Sequence, residues 1–206
     1  MRKIILLVLL IWTGCGHNPV DVSMQGVRYQ DDAPVLLSEL LEAVTPDEMP
    51  DTALRAVILP FAVRQDIGVR KEIGKEIADI FRLVWLEERV FSTLEYDVSR
   101  PWPGLDPALD QAQAKGANIL VCGNVTQLYQ AAAVGRTSLG LSVEIYWVPT
   151  RTLIWSAAQA AAMEGAQDKD FIVVRTARRV PENPLFAVTR ALGASMAQGF
   201  TRHLLL

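Results

Sequence analysis

Cysteine and histidine are scarce, with two of each among 206 residues. Cys15 stands close to the start of the chain and leaves Cys122 alone within the body, so an internal disulfide is excluded. Cys122 sits in the apolar run Asn118-Ile-Leu-Val-Cys-Gly123, the setting of a small buried residue rather than of a reactive thiol. His17 and His203 lie near opposite ends of the sequence. Neither is placed as the base that a serine or cysteine nucleophile needs, and His203 reads as a surface residue of a terminal helix. No HExxH, CxxC or EF-hand spacing occurs, so no protein-built metal site is indicated. The phosphate-cradling patterns GxxxxGKS, GxxxxGKT and GxGxxG are also missing. Glu87 and Glu88 are adjacent, and neighbours on a helix point in different directions, so they make no acid–base pair. Excess positive charge is lacking too, with 20 Lys and Arg against 23 Asp and Glu. A mildly acidic chain has no clustered field for nucleic acid. The expectation is a protein that is not an enzyme and carries no cofactor.

What is present begins at the N-terminus. Arg2 and Lys3 make a short positive head, Ile4 to Trp12 is an unbroken apolar run, and Thr13-Gly14 precedes Cys15. The run is too short to span a bilayer, which takes about 20 residues. Head, run and small-residue exit describe a secretory signal over residues 1–14. The cysteine after the small pair points to a bacterial lipobox, with Cys15 as the acylated first residue of the mature chain. Trp12 and Thr13 depart from the usual Leu and Ala or Ser, so an ordinary cleaved signal with an incidental cysteine and an uncleaved membrane anchor are the other readings. Cleavage before Cys15 leaves about 190 residues, enough for one domain and a small appendage. It also takes the formal charge from −3 to about −5, because no acid precedes Cys15.

Residues 15–53 read as a lipid tether and leader, rich in proline and acid, with a short amphipathic helix over 35–44. The folded domain then runs from 54 to 206. Residues 54–61 predict a strand ended by Pro60, and 68–88 a helix with Val69, Ile73, Ile77, Ile80, Phe81 and Val84 on one face. The charges on its other faces read as a solvated surface. A strand over 90–96 follows, then a helix over 106–116 with Asp106 as N-cap, Pro107 at its first position and Gly116 past its end. Residues 118–128, 138–147 and 152–162 predict three strands in a meander, the middle one alternating cleanly. Residues 185–206 predict a last helix with Leu185, Val188, Leu192, Met196 and Phe200 as its stripe. The order β-α-β-α-β-β-β-α implies an α/β (α+β) fold: a mixed sheet of about five strands, with right-handed crossovers and helices packed on it.

Three motifs in this order carry a resemblance. They are Ile58-Leu-Pro-Phe61 before a long helix and Val90-Phe-Ser-Thr-Leu-Glu95; Ala112-x-x-x-Gly116-Ala-Asn-Ile-Leu-Val-x-Gly123; and the hairpin from Val143 ending in Thr152-Leu-Ile-Trp155. Together they resemble the periplasmic domains related to CsgG, PelC, LpoB and the amino-terminal domain of TolB, over residues 54–200. The resemblance implies a non-enzymatic lipoprotein anchored by its lipid to the outer membrane, on the periplasmic face. Its partners would be envelope export or assembly proteins, for protein or polysaccharide, and copies of itself. No paired alternating segments of about ten residues are available to build the barrel of a CsgG-type pore. A PelC-like ring and an LpoB-like adaptor both stay open.

Two surface candidates follow from residue chemistry. Arg175, Arg178 and Arg179 set three guanidinium groups within five residues, able to hold an anionic glycan, a headgroup or a carboxylate. The alternative is a solvated loop balancing Asp168, Asp170 and Glu182. Trp102, between two prolines, is either an interface anchor or a lid on the core. With Trp102 these arginines would suit a second function, a glycan- or peptidoglycan-binding lipoprotein module. Trp147 and Trp155 are assigned to the core.

Overall fold

A computed structural model of the chain describes residues 33–49, 52–98, 102–130, 135–164, 168–170, 175–177, 181 and 183–204. The signal segment, Cys15, Arg178 and Arg179 lie outside the described residues. In chain order the elements are β1 (Val35–Leu37), β2 (Leu41–Val44), β3 (Arg55–Ile58), β4 (Ala62–Val63), α1 (Arg70–Glu87), β5 (Thr93–Tyr96), α2 (Leu105–Ala114), β6 (Ile119–Gln130), β7 (Thr137–Trp147), β8 (Thr152–Met163), β9 (Asp168–Asp170), β10 (Arg175–Ala177) and α3 (Pro184–Thr201). A 3-10 turn, Arg202–Leu204, follows α3.

Ala56, Val57 and Ile58 are all buried, as consecutive apolar residues are when both faces of a strand are covered. β3 accordingly runs parallel to β5 on one side and β6 on the other. Pro60 ends it, and β4 resumes the pairing further along β6. β6, β7 and β8 form the expected antiparallel meander. The open mixed sheet has the order β1-β8-β7-β6-β3-β5, with β2 also on β8 and β4 also on β6. β9 and β10 pair with each other in a second, two-stranded sheet.

α1 and α3 cover one face. The predicted stripe of α3 is buried throughout, and Asn183 caps that helix by accepting a hydrogen bond from the Phe186 amide at 3.0 Å. Trp85 of α1 is the hub of the core, with ring centroids 4.8 Å from Phe81, 5.5 Å from Phe91 and 6.1 Å from Phe200. Its Nε1 donates to the Gly193 carbonyl at 3.0 Å, so the ring is buried without losing its polar group. α1 also lies tight on the chain after β3. A Cβ on Gly74 would stand 2.1 Å from the Phe61 carbonyl oxygen, and the Phe61 amide donates to the Gly74 carbonyl at 3.0 Å. On the opposite face α2 lays Ala108, Leu109 and Ala112 over Val57, Leu59, Leu120 and Cys122.

Four expectations are corrected. The helix over 35–44 is instead the two short strands β1 and β2, antiparallel to β8. A ten-residue helix is marginal on its own, whereas the edge of β8 offers a row of backbone partners. Ser38 bridges the break: its amide donates to the Ala160 carbonyl at 2.8 Å and its Oγ accepts from the Ala160 amide at 3.0 Å. With β4 this raises the main sheet from about five strands to eight. α2 starts at Leu105 behind Gly104, so Asp106 lies in its first turn rather than at the cap. His203 is not a surface residue, since only 18% of its side chain is exposed.

Candidate functional site

Trp102 is half-buried and packs against the smaller core, beside α2. β10 sets Arg175 across from Asp170 of β9 in the register. Cys122 is buried, and burial pushes its thiol far above the usual range, so it is held as an inert core group. Trp155 is fully buried, and Trp147 is half-buried against the main core. Among the described residues no group of three or more His, Cys, Asp or Glu could hold a metal. No described helix is long and apolar enough to cross a membrane.

Open α/β sheets place ligands beyond the carboxyl ends of parallel strands where successive crossovers leave in opposite directions. Here that point is β3, because α1 leads to β5 on one side and α2 leads back to β6 on the other. The polar groups there are engaged with the fold itself. The Arg64 amide donates to the Val125 carbonyl at 3.1 Å, and Gln65 Oε1 accepts from the Leu128 amide at 2.9 Å. Asp97, just past β5, accepts from Gln111 and pairs with Lys115 at 3.2 Å, and Lys115 also meets Glu95. These groups dock α2. At the other flank of the helix, Arg151 of the β7–β8 turn pairs with Asp110 and lies 3.7 Å from Asp106.

A second polar knot joins the two ends of the described chain. Glu42 of β2 accepts from Trp155 Nε1 at 2.8 Å and from His203 Nε2 at 2.9 Å, with Arg202 3.5 Å away. A carboxylate only accepts, so His203 carries its proton on Nε2. Burial raises the Glu42 pKa, but the hydrogen bonds from Trp155 and His203 and the nearby positive charge outweigh it, and the net shift is downward. The sequence gives no local sign of this pair, which are 161 residues apart.

The two edges of the main sheet differ in charge. From Val35 to Met49 the chain holds four acids, Glu39, Glu42, Asp47 and Glu48, and no Lys or Arg. Leu36, Leu37 and Leu41 are exposed along this edge, Leu41 by 63%. At the β5 edge the opposite charge gathers. Lys71, Lys75, Arg82 and Leu86 recur at spacings of four, seven and four, one flank of α1. That flank faces β5: the Tyr96 hydroxyl donates to the Lys75 carbonyl at 2.7 Å, and the Arg82 guanidinium lies 5.9 Å from the centre of the Tyr96 ring. Two acids of the helix turn toward α3, where Glu76 meets Asn183 and Glu87 pairs with Arg190, while Asp79 stays on the β5 side, paired with Arg82 at 2.9 Å.

No family model matches the sequence, and neither does any curated protein. Solved structures do. The PelC dodecamer from Paraburkholderia phytofirmans is 15% identical and superposes with a TM-score of 0.53, covering 78% of this chain and 94% of that one. A second PelC dodecamer, a point variant from the same organism, gives 13% identity and a TM-score of 0.50, covering 77% and 95%. The LpoB C-terminal domain from Salmonella enterica is 12% identical with a TM-score of 0.34, over 56% of this chain and 86% of that one. At these identities the likeness to PelC is one of fold, extending over nearly the whole of that chain.

Proposed function

We propose that this chain is a lipoprotein of the bacterial outer membrane, acylated at Cys15, whose periplasmic domain is a structural or adaptor component of an envelope export or assembly machine and assembles with copies of itself. It acts by docking rather than by catalysis. The observation that carries this reading is the fold shared with PelC over 94% of that chain, a protein that forms a dodecamer. The lipobox-like exit at Gly14-Cys15 supports the address, and the motifs over residues 54–200 support the group. Polar groups at the crossover point are occupied in holding α2, which favours a scaffold over a catalyst.

Two measurements test it. Palmitate labelling of the full chain in a bacterial host should mark the wild type and not Cys15→Ser; a wild type without label removes the anchor. Mass photometry of the detergent-extracted protein should show an oligomer. A strict monomer that co-purifies with no envelope protein removes the assembly role.

A further inference from the structure

Self-assembly into a ring uses two different patches of one chain, each meeting the other on the next copy. Resting on the assembly reading above, we infer that the two edges of the main sheet are those patches. The acidic β1–β2 edge of one copy docks on the basic α1–β5 flank of its neighbour.

Three observations converge on this pair. The first is charge. Glu39, Asp47 and Glu48 are exposed on one edge, in a segment without a single Lys or Arg. Lys71 and Lys75 are exposed on the other, where Asp79 is paired with Arg82, and α1 turns Glu76 and Glu87 away toward α3. Opposed potentials of this kind select partner and register. The second is apolar surface. Leu36 and Leu41 stand out from the first edge at 57% and 63% exposure, and Leu86 and Val98 from the second at 39% and 51%. Each edge therefore combines exposed aliphatic residues with charge mainly of one sign, Asp79 being paired with Arg82 on the basic flank and Arg202 lying against Glu42 on the acidic edge, the make-up of a small interface with a polar rim. The third is strand direction. β5 runs parallel to β3 and β6; β7 reverses, β8 reverses again, and β1 and β2 reverse once more. β1 and β2 thus run opposite to β5. Copies repeated side by side bring an antiparallel pair of edge strands together, the arrangement in which unpaired backbone groups of two edges satisfy each other.

Charge exchange tests the arrangement on the detergent-extracted full chain. One variant carries Glu39→Lys with Glu48→Lys, the other Lys71→Glu with Lys75→Glu. The new acids lie in the first turns of α1, where its dipole favours them. By mass photometry each variant alone should fall to monomer mass while still unfolding in one cooperative thermal transition. An equimolar mixture should recover the oligomer, because the two reversed patches attract each other across one interface and the two unreversed patches across the next. An oligomer that persists in both variants overturns the edge assignment and leaves assembly standing. So does a mixture of folded variants that stays monomeric. A monomeric wild type overturns the assembly reading itself.

Discussion

On one face of the sheet, Phe81, Trp85, Phe91, Trp155 and Phe200 meet between α1, α3 and the strands, each with a ring centroid within 6.1 Å of another. On the other face α2 buries two alanines and one leucine, and ion pairs at its two flanks position it: Lys115 with Asp97 and Glu95, and Arg151 with Asp110. The aromatic face is held by area and close packing, which act cooperatively and are insensitive to salt. The α2 face has a smaller apolar cluster, without the aromatic stack, and adds charged contacts near the surface, each worth at most about 1 kcal/mol. The difference places the global stability of the domain in the α1–α3 layer. α2 becomes the element that opens first.

Removing the hub of the first face should have the largest effect. Trp85→Ala deletes a fully buried ring, its four ring neighbours and the hydrogen bond to Gly193. Urea unfolding should show a loss of about 3–5 kcal/mol in a single transition, since both helices and the sheet share this contact. A loss below about 1 kcal/mol would mean that the rings are not the shared core. Leu109→Ala on the second face removes the one large side chain that α2 buries. The expected loss is about 2–3 kcal/mol, the lower part of the range for a buried leucine, because the thin α2 layer can settle onto the sheet. Hydrogen exchange should locate the change: protection should fall in α2 and the start of β6 while the α1 amides keep theirs. Uniform loss would erase the contrast between the faces.

Much of this architecture was legible in residue patterns. The helical stripes Ile77, Ile80, Phe81, Val84 and Leu185, Val188, Leu192 are buried as read, whereas Val69 at the head of the first is exposed just before the helix, and the five predicted strands are present as β3, β5, β6, β7 and β8. Those segments are long or strongly periodic, so local pattern and tertiary packing agree. Residues 35–44 were misleading because paired leucines at 36–37 and 40–41 fit a helix as well as two strands, and the decision belongs to the edge of β8, more than 100 residues away. The charges of α1 looked like a plain solvated face. That Lys71, Lys75 and Arg82 lie on the β5 flank and Glu76 and Glu87 on the α3 flank, with Asp79 paired to Arg82, becomes visible only once Tyr96 and Arg190 are in place. The Glu42–His203 contact joins residues near the two ends of the folded region and leaves no mark in spacing.

The clamps of the second face should respond to salt where the aromatic core does not. Lys115→Gln removes a cation shared by Glu95 and Asp97. Asp97 keeps Gln111, so the expected loss is about 1 kcal/mol at low ionic strength. It should shrink as salt rises and the exposed part of the pair is screened. An equal loss at low and high salt would show that burial of Asp97, rather than the ion pair, sets the strength of this clamp.

Acid titration separates the smallest effect. Glu42 fastens the β2 edge to the aromatic face through Trp155 and to the 3-10 turn through His203 and Arg202. Its pKa in the folded protein lies below the ordinary value of 4.5. A depressed carboxylate contributes stability that is fully present above its unfolded pKa and is lost as pH falls through the folded one. The wild type should therefore exceed Glu42→Gln in urea midpoint at neutral pH by a small margin, and that margin should narrow below pH 4.5 as Glu42 takes up a proton. The variant keeps a side-chain carbonyl that can still accept from Trp155, so what disappears is the charge that draws in His203 and Arg202. A margin unchanged from neutral pH to the acid limit would mean that this charge contributes nothing to folding, and the β2 edge would then be held by its backbone pairing to β8 alone.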